Sequence, residues 1–133
     1  MKVLSFILFI LLVSPFAFSQ ISVDCKISAS YELIADYDVS SNSILVTKKE
    51  NEKESKFAGV SFEQVNKDDL NRNADLIDLA KKADIPIERA NSANRFVIQK
   101  SNNASIELVD FISIDAESIG LAANLGGLIQ KCN

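Results

Sequence analysis

The chain has no histidine, and its 133 residues include only two cysteines, four glycines and two prolines. Lack of histidine removes Ser-His-Asp and Cys-His catalysis and every His-ligated metal site. It also removes the commonest general base near neutral pH. Two cysteines without histidine cannot complete a usual four-ligand zinc site. There is no Gly-rich phosphate loop, since Gly126-Gly127 is a lone doublet followed by Leu128. Basic runs are missing too. With 14 Lys+Arg against 18 Asp+Glu and a net charge of −4, the chain is a poor nucleic-acid binder, because that affinity comes largely from Lys and Arg clusters. No internal repeat or low-complexity segment occurs.

One long apolar run is present, at the N-terminus. Lys2 supplies a single positive charge, and Val3 to Val13 is apolar except for Ser5. Pro15 and then Ala17-Phe18-Ser19 follow, which places small residues at the −3 and −1 positions of a cut before Gln20. This pattern predicts a secretory signal peptide over 1–19. The run falls short of the ~20 residues a membrane span needs, and no second long apolar run follows. Residues 20–133 are expected to form one small domain, exported to a periplasmic or extracellular compartment.

Cys25 and Cys132 nearly bracket that domain. In an oxidising compartment two cysteines usually pair. Redox pairs are close in sequence, as in Cys-x-x-Cys, whereas these two are far apart, so a structural disulfide is the expectation. In the chain-entropy model so long a loop is worth about 4–5 kcal/mol.

Alternating apolar residues from Cys25 to Val39 predict a long half-buried strand. Ser40 to Ser43 is turn chemistry, and Ile44 to Thr47 predicts a strand pairing back on the first. Lys48 to Lys56, rich in Lys and Glu, is read as a solvated loop. Phe57 to Val65 is a third strand candidate, with Gly59 as a bulge. Asn66 is placed to cap a helix from Lys67 to Ala83, with Leu70, Ala74, Ile77 and Ala80 on its apolar stripe, widened by Leu76, Leu79 and Ala83, and Asp68–Arg72 and Asp78–Lys82 as ion pairs. Phe96 to Ile98 and Ile106 to Ile114 predict a second hairpin across Ser101 to Asn103. Leu108-Val109 interrupts its alternation, so either both faces are covered or a bulge intervenes. Asp115 is placed to cap a last helix carrying Leu121, Ala122, Leu125, Leu128, Ile129 and Cys132 on one face, and the disulfide would lie under it. The expected fold is α+β, in the order β-β-β-α-β-β-α: a mostly antiparallel sheet of about five strands with two helices packed on one face.

Few residues suggest chemistry. Asp36, Asp38, Ser40 and Asn42 offer oxygens at alternating positions, as a calcium loop does. Ser41 and Thr47 stand where that loop wants Gly and a bidentate Glu, and in a strand the four simply form a wet face. Asp110, between Val109 and Phe111, is either a solvent-face acid or a buried one with a raised pKa. Asn103-Ala104-Ser105 fits a glycosylation acceptor. No cofactor is implied. By exclusion the chain reads as an exported non-catalytic domain that binds another protein, such as an inhibitor or immunity-type protein acting on a basic partner. The alternatives are a small carboxylate-based hydrolase and a calcium-dependent or envelope-structural module. Candidate surfaces are the Lys48–Lys56 segment, the Ser101–Ala104 turn and the sheet face away from the helices.

Overall fold

In a computed structural model the described residues are 20–99 and 105–132. The segment expected to be a signal peptide, the Ser101–Ala104 turn and Asn103 lie outside them. Nine strands form two antiparallel sheets. The first sheet has the order β1-β2-β3-β4, with β1 at Gln20–Ser28, β2 at Tyr31–Asp38, β3 at Ser43–Glu50 and β4 at Lys53–Phe57. The second has the order β5-β6-β7-β8-β9, with β5 at Val60–Asn66, β6 at Ser92–Gln99, β7 at Ser105–Ile112, β8 at Ser118–Leu125 and β9 at Leu128–Lys131. Between β5 and β6 lie two short helices, α1 at Lys67–Arg72 and α2 at Ala74–Lys82, and a 3-10 turn at Ile87–Arg89.

These elements stack in three layers. The inner faces of the sheets meet around Val23, Cys25, Leu33 and Val46 from one side and Phe96 and Leu108 from the other. Tyr37 stacks on Phe62 at 4.2 Å between ring centroids, and Phe62 tilts against Phe96 at 5.0 Å. On the opposite face of the five-stranded sheet, Val109, Phe111 and Ala122 pack with Leu76 and Leu79 of α2. The five-stranded sheet is therefore the middle layer. Leu108 and Val109 are adjacent and both fully buried, because each enters a different core. That accounts for the break in alternation.

The α+β expectation of one sheet of about five strands and two substantial helices is overturned. The expected last helix is absent. Gly126 and Gly127 take φ of +69° and +111°, which turns the chain back between β8 and β9 with Leu125 opposite Leu128. A two-residue Gly turn with positive φ matches the twist of a hairpin and breaks a helix. Its would-be stripe splits: Leu121, Leu125 and Cys132 pack toward the first sheet, Ile129 and Ala122 pack toward the helices, and Leu128 is exposed. Asp115 sits in the β7–β8 turn, where its N–H donates to Ser113 Oγ.

The Lys48–Lys56 loop is also a hairpin. Asn51 and Glu52 have φ of +51° and +69°, and Glu50 pairs with Lys53. Gly59, at φ +70°, is the turn between β4 and β5 rather than a bulge inside one strand. The expected helix from Lys67 to Ala83 breaks at Asn73, which ends α1 and caps α2 by accepting from Leu76 N–H at 3.1 Å. Asn66 caps α1 as expected, accepting from Asp69 N–H at 2.9 Å. Of the expected stripe Leu70, Leu76, Leu79, Ala80 and Ala83 are buried, while Ala74 and Ile77 are exposed. Arg72 pairs with Asp69 rather than Asp68, and Lys82 with Asp78.

Cys25 and Cys132 form the disulfide. It does not lie under a helix. It joins the first strand of one sheet to the residue after the last strand of the other, and both cysteines belong to the inter-sheet core. No helix among the described residues is long and apolar enough to cross a membrane.

Candidate functional site

Stacking leaves one sheet face without a covering layer among the described residues: the outer face of the four-stranded sheet. Strand periodicity determines what it carries, since every second residue of β1 to β4 points there. One row runs Lys26, Glu32, Lys49, Glu54, alternating in sign across all four strands. The next runs Asp24, Ile34, Thr47, Lys56, and a third runs Ser22, Asp36, Leu45. Opposite charges directly across a ladder are favourable, each pair contributing about 0.2–1 kcal/mol. Ile34 and Leu45 lie diagonally to each other within this polar frame, and Leu45 is 41% exposed.

Two acids on this face touch. Glu32 shares a side-chain hydrogen bond with Asp24, and this contact, followed by desolvation and the like charge, raises the Glu32 pKa above its ordinary value. Lys26 and Lys49 act in the opposite direction. Sequence reading missed this pair because the two acids sit on separate strands. The signal was their polar positions in alternating strands, but a register shift between Lys26 and Ser28 hides the pairing. Beside Glu32, where the β1–β2 and β3–β4 turns meet, lies an open cavity of 670 Å³ lined by Lys26, Ser28, Tyr31, Glu32, Lys49 and Asn51 among others. Burial raises the Tyr31 pKa, with the charge of Glu50 adding to the effect.

The calcium-loop candidates do not converge on one point. Asp36 accepts from Ser22 Oγ on the outer face. Asp38 accepts from Ser40 Oγ at 2.7 Å and Ser40 N–H at 3.1 Å, which lowers its pKa. Asn42 Oδ1 accepts from Tyr37 OH at 2.9 Å, and Tyr37 stacks in the inter-sheet layer. Only Asp38 and Ser40 are in contact. Among the described residues no group of three or more His, Cys, Asp or Glu is placed to hold a metal ion.

Asp110 points from β7 toward the first sheet. Burial raises its pKa above 3.8, and the hydrogen bond from Ser118 Oγ works against that rise. Opposite it on β6, Asn94 is buried, and its side-chain oxygen has no hydrogen-bond partner among the described residues. Elsewhere on the middle sheet Arg95 donates twice to Glu107, at 2.8 and 3.2 Å, and once to Glu63 at 3.5 Å. This is a cross-strand clamp in which one cation holds two carboxylates.

Comparison with known proteins finds no matching family model, no matching curated sequence and no matching solved structure.

Proposed function

We propose that the chain is an exported, non-catalytic protein-binding domain that docks through the outer face of its four-stranded sheet. The observation that carries this reading is that face itself. It is backed by a disulfide-tied core and presents Ile34 and Leu45 among Asp24, Glu32, Asp36 and Lys49. An apolar centre with a polar rim is the usual anatomy of a protein interface. A standard interface needs about 800 Å² per partner, which a four-stranded face can supply. The net charge of −4 favours a basic partner of the same compartment through faster encounter; an enzyme held inhibited by the domain is the most concrete form. The disulfide fits an oxidising, periplasmic or extracellular setting.

The Asp24–Glu32 contact supports a second reading, a carboxylate hydrolase. Acid proteases use two carboxyls sharing a proton. Here the pair lies on an open strand face, where nothing excludes water from a reacting bond. Glycosidase pairs stand about 5 Å or more apart, wider than a hydrogen-bonded pair.

The test is capture of a partner from the native compartment by immobilised protein, repeated with Leu45→Arg and Ile77→Arg. Loss of at least roughly tenfold in affinity is expected with Leu45→Arg alone. Equal capture by both variants rejects the outer face as the docking surface. Peptide or glycan turnover abolished by Glu32→Gln replaces binding with hydrolysis.

A further inference from the structure

We propose that the free edge of β1 is a self-complementary interface, through which two copies of this chain pair antiparallel and join their four-stranded sheets into one. The outer-face reading is not needed for this, and the pairing leaves that face exposed on both copies. β1 ends its sheet and, among the described residues, is paired on one side only, by β2. At nine residues it is a long edge. Long edges template pairing with another chain unless they are shortened, bulged, capped by proline or charged. β1 has no proline, its irregularity falls after Lys26, near the end of the strand, and its two charges, Asp24 and Lys26, have opposite signs.

Those two charges set a register. Two identical antiparallel strands are related by a two-fold axis, and the pleat requires residues of the same face to meet. Centring the axis on Cys25 puts Asp24 of each copy opposite Lys26 of the other. It also brings Val23 and Ile27 together on the apolar inner face. Centring on Asp24 or on Lys26 sets like charges against each other. Centring on Val23 or Ile27 leaves both charges opposite uncharged polar residues. One register is therefore favoured and its neighbours are penalised, which is what specifies strand pairing.

The outer-face charges point the same way. The alternating row of Glu54, Lys49, Glu32 and Lys26 stops at β1, and the second copy's Asp24 continues it. Within one copy Asp24 lies beside Glu32 and raises its pKa; Lys26 of the second copy places a cation beside Asp24. The other edge of this sheet, β4, fits less well. It has five residues, of which all but Phe57 are exposed, and the register that would pair Glu54 with Lys56 sets Lys53 against Phe57.

The purified protein is tested by sedimentation over a concentration series, with D24K, K26D and, as a control on β4, E54K. Wild type and E54K should reach dimer mass. D24K gives one copy two lysines on this edge and K26D gives it two aspartates, so each alone should weaken self-association at least roughly tenfold. Mixed one to one, the two variants should form a heterodimer, because every contact is then Lys against Asp. Circular dichroism and an intact Cys25–Cys132 bond establish that the variants fold. A wild type that stays monomeric up to its solubility limit overturns the proposal, and this measurement stands whatever the variants do. Dimers that persist in both single variants, or are lost with E54K instead, also overturn it.

Discussion

The two sheets share a core but differ in how many faces they bury. The five-stranded sheet is covered on both sides, by the other sheet and by the helices, while the four-stranded sheet is covered on one. In β1 and β2 the result is strict alternation, with Val23, Cys25, Leu33 and Ala35 buried between exposed or half-exposed neighbours. In β7 it is the run Leu108-Val109, buried on opposite faces. Coverage thus sets most of this difference, with Thr47 as the exception: it lies on the outer face of β3 and is only 7% exposed.

The sharpest way to break this comparison is to truncate neighbours in each sheet. Leu108→Ala should cost about 2–5 kcal/mol, and Val109→Ala about 1.5–3 kcal/mol. In the outer sheet Leu33→Ala should fall in the same 2–5 kcal/mol range of about one buried Leu, whereas Ile34→Ala should cost about 1 kcal/mol or less. Denaturant unfolding measures all four. A large loss for Ile34→Ala would mean that the outer face is covered after all.

The same contrast explains what the sequence disclosed. The alternation from Cys25 to Val39 was legible because one wet face gives clean alternation, but the single long strand expected there is the hairpin of β1 and β2, turned at Ala29-Ser30. Asn66 was legible as a cap because its chemistry is local. The β8–β9 hairpin was not, because Leu121, Leu125, Leu128 and Ile129 satisfy helical spacing as readily as they fit two short strands. Only the turn geometry of Gly126 and Gly127 separates the two readings. Gly120 belongs to the same confusion: a side chain there would meet Ile85 at 2.7 Å, so its absence serves close packing of the α2–β6 connection rather than helix termination. The candidate face was half legible. Its polar residues could be found along each strand, but the rows Lys26-Glu32-Lys49-Glu54 and the contact of Asp24 with Glu32 exist only across strands. They depend on register, which the Asn51-Glu52 turn and the irregularity after Lys26 set.

The disulfide sharpens the comparison from another side, since it ties the singly covered sheet to the end of the doubly covered one. Cys132→Ala should cost about 2–5 kcal/mol, measured by thermal or denaturant unfolding. Because the two sulfurs act as one unit, the Cys25→Ala/Cys132→Ala double variant should cost little more than either single change. Losses that add would show that each cysteine contributes mainly by its own packing.

The smallest expected effects separate two aspartates of opposite setting. Burial in the middle sheet raises the pKa of Asp110, while hydrogen bonds from Ser40 at the rim of the outer sheet lower that of Asp38. Linkage gives them opposite signs. Between its unfolded and folded values, Asp110 holds a proton in the folded chain that the unfolded chain has shed. Its stabilising contribution is therefore complete below the unfolded value and lost as pH rises through the folded one. Protonation also makes Asp110 a donor on the strand opposite Asn94, whose buried oxygen has no partner among the described residues. Asp38 contributes above its unfolded value and loses that contribution as pH falls through its folded one. Asp110→Asn should accordingly stabilise the protein at neutral pH, because the amide oxygen still accepts from Ser118 and no charge is buried, and the gain should fade in acid. Asp38→Asn should destabilise at neutral pH, with its loss likewise fading in acid. Unfolding curves across the carboxylate range decide the matter, and a destabilised Asp110→Asn at neutral pH would place that carboxylate in water rather than between the sheets.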